Sequence, residues 1–333
     1  MLKRPLLSRR QCLLGSGSAA LGLMLSPNLH AQNAPRSKPL RMVVAYPPGG
    51  VSDVVARALA DALAPRLSTP VLVENRAGAS GTLGVNAVAK AGADAADMVV
   101  FTALSPLTLS PHLGALPYDA LRDLVPVASV MVSPVLLAAT PALADTDFKA
   151  MLARARAQPG RLRWATSGSG SLGHLMLESI GRAHGVSFTH VPYKGGGQQI
   201  TDALGGQFEI LSVNTSGAVL QHVREGRLKA LAVGAPARLD ALPQTPTLTE
   251  LGLAQANFHS RFGLFASAAM PPAVLERLNQ HVNVVLSTPA LRERLLAAEC
   301  VPALSSPNEL ARLVASEHQI MGQLVREARI QAD

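Results

Sequence analysis

Short apolar runs alternate along this chain with longer stretches whose apolar positions recur at helical spacing. That alternation predicts an α/β fold with mainly parallel sheets. Arg41–Ala45 reads as a buried strand. It is followed by a Pro/Gly turn and by a helix whose apolar positions are Val54, Val55, Ala58, Leu59, Ala62 and Leu63, with Ser52 or Asp53 as its cap. Val71–Glu74 is a second strand, and the turn Asn75–Gly81 leads into a helix over Thr82–Lys90. Met98–Thr102 is a third strand, followed by apolar runs at Val125–Val132 and Val135–Thr140.

A second unit repeats the style. Helices are predicted at Phe148–Ala157, His174–Gly185, Gln198–Leu204 and Val219–Glu225. Strands are predicted at Leu162–Ala165, Thr189–Val191, Glu209–Val213 and Leu228–Val233. Phe262–Ala266 reads as a strand returning to the first unit. The remainder is helical, over Pro272–Ser287, Pro289–Ala298 and Pro307–Arg329, with Leu275, Leu278, Val282 and Leu286 expected to pack on the first sheet. The chain therefore crosses between two lobes near 133–140 and again near 258–266. Two crossings make a hinge and place a ligand cleft between the lobes.

Four Gly/Ser-rich turns each precede a helix: Pro47–Asp53, Asn75–Gly81, Thr166–Gly173 and Pro192–Gly197. A helix start leaves backbone N–H groups unpaired, and the helix dipole makes that spot attractive to an anion. Hydroxyls at Ser52, Ser80, Thr82, Thr166, Ser167, Ser169 and Ser171 add donors. Convergence of such turns on one ligand competes with the plainer reading that they are tight turns chosen for backbone geometry.

Nucleotide phosphate fits poorly. Lys194 precedes its glycines, and Gly168–Gly173 has dinucleotide-type spacing without the acidic residue that should follow. A hydrolase acting through Ser171 and His174 is a third-ranked alternative, because Ser169 stands where the nucleophile elbow needs glycine. The histidines are scattered and there is no Cys cluster, so neither a metal nor a cofactor is expected. Trp164, just before the third turn, is expected in the core.

The amino terminus changes the charge picture. Residues 1–31 read as a cleaved export signal: a basic start with Lys3, Arg4, Arg9 and Arg10, an apolar stretch, and Leu29-His30-Ala31 before the cut. Ser8–Leu13 fits either a twin-arginine or an ordinary secretory signal. Loss of these four positive charges takes the formal +8 to +4. The remaining chain has no basic run and few aromatics, so nucleic-acid binding has little support. It keeps one cysteine, Cys300, and no apolar run long enough to span a membrane.

Several motifs in order resemble the Bug (TctC) family of periplasmic solute-binding proteins from tripartite tricarboxylate transporters. They are Tyr46–Asp53, Val73-Glu-Asn-Arg-Ala-Gly-Ala-Ser-Gly81, Leu116-Pro-Tyr-Asp119, Ser167–His174, His190-Val-Pro-Tyr-Lys-Gly-Gly196, Gly226–Ala232, and Leu242–Leu248 with Glu250. The resemblance covers nearly the whole chain after the signal. It implies a two-lobed, type II-like periplasmic-binding fold, with residues 38–135 plus 264–333 as one lobe and 136–263 as the other. The lobes would close on a small carboxylate without enzymatic turnover.

The ligand contacts it implies come from Gly49, Gly50, Ser52 and Asp53 in the first lobe and from Thr166, Ser167, Gly168, Ser169 and Asn214 in the second; Tyr46, Pro48, Ser171 and His174, in the same motifs, are further candidate contacts. The expected partners are membrane transporter subunits or, alternatively, a sensor kinase, and the expected state is a monomer in the periplasm. Two departures stand out. Val51 replaces a small or hydroxyl residue. Val213 stands where many relatives carry Asp, a carboxylate that would pair with a ligand ammonium, so a ligand lacking an amino group is expected. Ala93–Met98 replaces the usual Pro-x-Asp-Gly-Tyr, which is expected to alter a surface loop.

Overall fold

The structure is a computed structural model that describes residues 38–144 and 147–328. The export segment 1–31 lies outside those residues. The first lobe is built on β1 (Leu40–Val44), β2 (Val71–Asn75) and β3 (Met98–Ala103), with β1 parallel to both neighbours. Every residue of β3 is buried, as expected for a parallel sheet covered on both faces. Helices α1 (Val51–Leu67) and α2 (Thr82–Ala89) make the crossovers. The short helix α3 (Ser105–Thr108) follows β3 and was not foreseen. Residues Gly92–Asp97 form a 3-10 turn, and Asp94 pairs with Arg41 at 3.6 Å.

The largest departure from expectation is β4. The two apolar runs, Val125–Val132 and Val135–Thr140, are read separately in the sequence but join in one strand of 16 residues, Leu124–Ala139. Its first half pairs with β9 (His259–Ser267), and Val135–Ala139 pairs with β7 (Ile210–Asn214) and β8 (Lys229–Gly234). Proline usually ends a central strand because it donates no ladder bond. Pro134 is tolerated because it sits where β4 changes partners, and its carbonyl accepts from Thr215 N–H at 3.1 Å.

In the second lobe β5 (Arg163–Thr166) lies between β6 (Thr189–Pro192) and β7, parallel to both. Helices α4 (Phe148–Ala157), α5 (Leu172–His184), α6 (Gly196–Leu204) and α7 (Gly217–Arg224) connect these strands. The strand order is β2-β1-β3-β9-β4-β7-β5-β6. Helices α8 (Pro272–Leu286), α9 (Pro289–Leu296) and α10 (Pro307–Ala328) complete the chain, with a short strand β10 (Val301–Pro302) paired to β4.

Each lobe has apolar clusters on both sheet faces. Leu59, Phe101, Leu264, Leu278, Val282 and Leu286 share one cluster, so α8 packs where its periodicity placed it. Trp164, Leu137, Met151 and Ile180 form a core of the second lobe. Helix α10 joins both lobes. Leu310 and Val314 pack in a first-lobe cluster, whereas Met321 and Val325 pack with Trp164's cluster. No helix among the described residues is long and apolar enough to cross a membrane.

Candidate functional site

The first turn follows β1 directly. Gly49, at φ 83°, and an extended Gly50 let α1 begin at Val51. Sequence reasoning placed the cap at Ser52 or Asp53. That is corrected here: Gly50 is the N-cap, no side chain caps it, and both residues lie inside the first turn. The two glycines reach backbone conformations that start the helix earlier than a polar cap would. Asp53 turns back instead. It accepts from Gly49 N–H at 3.1 Å and Asn75 Nδ2 at 3.0 Å, and pairs with Arg57 at 2.9 Å. Burial pushes its pKa up, but the contacts from Arg57, Asn75 and Gly49 prevail and hold the carboxyl below its ordinary value. Asp53 therefore fixes the turn. The first amides of α1 are left without intrahelical acceptors.

The third turn is fixed in the same manner. The Thr166 hydroxyl lies 2.8 Å from His190 Nε2 and accepts from Gly168 N–H at 3.1 Å. Ser171 caps α5 by accepting from His174 N–H at 3.2 Å. His174 Nδ1 accepts from Gly170 N–H at 3.3 Å, its Nε2 faces Glu178 at 3.9 Å, and its ring stacks on His190 at 4.3 Å. Those contacts occupy the imidazole and the hydroxyl that a Ser171–His174 hydrolase would need as base and nucleophile. A fully buried Gln199 ties the lobe's strand ends together, donating to Ala165 O at 3.0 Å and Ser212 O at 2.9 Å.

Between the lobes lies a cavity of about 690 Å³ counted with its open mouth. Four helices start at its wall: α1 through Gly50, Val51 and Ser52, α5 through Ser171, Leu172 and Gly173, α6 through Gly196, and α7 through Ser216. Ser80, Ser105, Ser167, Ser212 and Ser260 add hydroxyls. Tyr46, Val135, Ile200, Val213 and Phe262 add apolar surface. Burial pushes the Tyr46 phenol above its ordinary pKa, so it stays a neutral group. No Asp, Glu, Lys, Arg or His lines the cavity among the described residues.

Of the residues singled out from sequence, Tyr46, Gly50, Ser52, Ser167, Ser171 and Asn214 line this space. Pro48, Gly49, Asp53, Thr166, Gly168, Ser169 and His174 stand behind or beside it. Ser105, Ser212, Ser216 and Ser260 were missed. Their one sequence signal is a polar residue at or near a strand or helix end, which is common everywhere. Asn214 also bridges the crossing strands: its amide donates to Pro134 O at 3.3 Å and its oxygen accepts from Ser260 at 3.3 Å. Among the described residues no group of three or more His, Cys, Asp and Glu is placed to hold a metal.

The lips of the cavity touch. The Ser80 hydroxyl donates to the Ser169 carbonyl across the cleft. Gly195 backs onto the Pro47 ring, where a Cβ would fall 2.5 Å from Cδ. Gly197 lies against the Pro48 carbonyl. The lobes are therefore in contact around the site on two sides.

Trp164 is the single tryptophan of the chain, fully buried, and its indole N–H donates to Ser212 Oγ at 3.1 Å. Because Ser212 lines the cavity, we predict that ligand binding shifts Trp164 emission. Ser212→Ala should abolish most of that shift. A calorimetrically saturated protein with unchanged emission would refute the coupling.

The chain matches the family model for the tripartite tricarboxylate transporter family receptor over residues 55–330. It is 35% identical over 292 residues to Protein BugT of Bordetella pertussis, covering 87% of this chain and 89% of BugT. Among solved structures, the periplasmic binding protein BugD superposes with a TM-score of 0.84 at 26% identity, covering 90% of this chain and all of BugD. R. palustris Rpa4515 with adipate superposes at 0.83 and 27% identity, covering 89% of this chain and 99% of that one. With cavity, fold and sequence in agreement, the chain belongs to the tripartite tricarboxylate transporter receptor (TctC, or Bug) family of periplasmic solute-binding proteins, which are not enzymes.

Proposed function

We propose that this protein captures a small carboxylate lacking an amino group, closes its lobes over it, and presents the loaded form to a tripartite tricarboxylate-type transporter. The observation that carries the reading is four helix starts around one cavity whose lining, among the described residues, has no cationic or acidic side chain. Backbone amides and serine hydroxyls stabilise an anion there without a formal countercharge. Val213 removes the one position where the family resemblance would put a partner for an ammonium. In this reading the lobes are 38–135 with 264–333 and 136–263, hinged where β4 and β9 cross. Rpa4515 with adipate supports the ligand class by likeness. Residues 1–31 would direct export and be removed.

A thermal-shift screen followed by calorimetry tests this. Plain mono- and dicarboxylates or aromatic acids are expected to stabilise the protein, by roughly 3 kcal/mol at a hundredfold excess over Kd. Tight binding of aspartate or glutamate would sink the amino-group exclusion. Silence from every acid would sink the carboxylate reading.

A further inference from the structure

A second cavity, about 570 Å³ counted with its open mouth, adjoins the first and shares two of its residues, Val51 and Ser216. Val51 starts α1 in the first lobe and Ser216 caps α7 in the second, so the partition between the cavities is the seam between the lobes. Beyond it the walls are apolar: Val54, Val55 and Ala58 of α1 face Leu291 and Leu295 of α9. Arg294 lines the same cavity, exposed and in no ion pair with any described residue. Arg57 of α1, by contrast, is held by Asp53.

These features make a chemical sequence: an anion site built from helix starts, a seam, an apolar compartment, and a free cation. The first cavity offers dipoles but no cation, so it suits one carboxylate and leaves a second without a countercharge. We propose that the second cavity takes the methylene chain and distal carboxylate of an elongated α,ω-dicarboxylate. The first carboxylate of that ligand sits at the helix starts and the second pairs with Arg294. This rests on the reading of the protein as a carboxylate binder, and it narrows the ligand class. It also links ligand length to closure, because the chain crosses between Val51 and Ser216 where the lobes meet.

The experiment is a calorimetric series of α,ω-dicarboxylates from succinate to sebacate, with the matching monocarboxylates, against wild type and two variants. In wild type, affinity rises with chain length by roughly fourfold per methylene taken into the apolar compartment. Each longer dicarboxylate also binds up to about fivefold tighter than its monocarboxylate, an advantage that shrinks with added salt. Arg294→Gln, at an exposed position, removes the dicarboxylate advantage and keeps the length dependence. Val54→Trp replaces a side chain that is 43% exposed, fills the compartment, and flattens the length dependence while short acids still bind. A flat series in wild type, or a gradient that both variants leave intact, overturns the inference while short-acid binding keeps the carboxylate reading standing. No binding by any acid overturns both.

Discussion

Gly197→Ala folds normally, keeps its melting temperature, and binds its carboxylate roughly a hundredfold more weakly than the parent. Gly197 is the second residue of α6 and has no positive φ, so alanine suits its own backbone and raises local helix propensity by up to about 1 kcal/mol. The difficulty lies across the cleft. A Cβ at this position would fall 2.6 Å from the Pro48 carbonyl oxygen, and that partner is backbone, which yields little. The clash exists only when the lips meet. A penalty of about 3 kcal/mol confined to the closed form corresponds to a loss of roughly two orders of magnitude in affinity. Calorimetry with the best ligand gives the loss, and a melt without ligand shows that the fold is intact. Gly114→Ala is the control: it lines neither cavity, has no positive φ, and nothing lies within 4 Å of its added carbon. Parental affinity for Gly197→Ala would show that closure does not need this contact.

The elements that were legible in the sequence carry their own punctuation. Helix α4 falls at Phe148–Ala157 as expected, because Asp147 caps it, accepting from Ala150 N–H at 2.8 Å, and Pro159-Gly160 stops it. The four turns were legible because glycine and proline announce backbone that ordinary residues avoid. All four contribute to the cavity wall, through Ser52, Ser80, Ser167 and Gly196.

What was illegible depends on long-range placement. Pro134 stands between the two apolar runs in the sequence, and only the exchange of β9 for β7 at that point explains its place inside β4. Gln199 falls in the helix expected over Gln198–Leu204, but nothing in that pattern shows that its amide is fully buried and bonded to the ends of β5 and β7. The hydroxyls of Ser105, Ser212 and Ser260 carry no distinctive local pattern, because α3, β7 and β9, far apart in the chain, bring them to one cavity. Conversely, Asp53 and His174 looked like contact residues from their motif positions. Their side chains are committed to holding turns, and sequence does not separate a group that touches a ligand from one that holds the group beside it.

Val213→Asp exchanges the ligand preference. Val213 lies on β7 opposite Leu136, is 4% exposed, and lines the cavity next to Gly196, whose added Cβ would touch it at 3.3 Å. An aspartate here puts a carboxylate beside the same helix starts that hold the ligand's carboxylate. The two anions then compete for one set of donors in a poorly solvated space, where like charges repel by several kcal/mol. Plain carboxylates are expected to lose at least about a hundredfold in affinity. The 2-amino analogue of the same acid brings an ammonium that neutralises the new carboxylate, so it gains affinity over the parent protein. Without ligand, the buried charge lowers stability by roughly 1–3 kcal/mol, because the four dipoles offset only part of its desolvation. Calorimetry with each acid and its amino analogue, on parent and variant, measures the exchange. Val213→Asn separates charge from shape: it has the same outline without the negative charge, so it should weaken plain acids only a few-fold and gain nothing for the amino analogue. Equal losses for Asp and Asn would assign the effect to packing against Gly196 and remove Val213 as the determinant of amino-group exclusion.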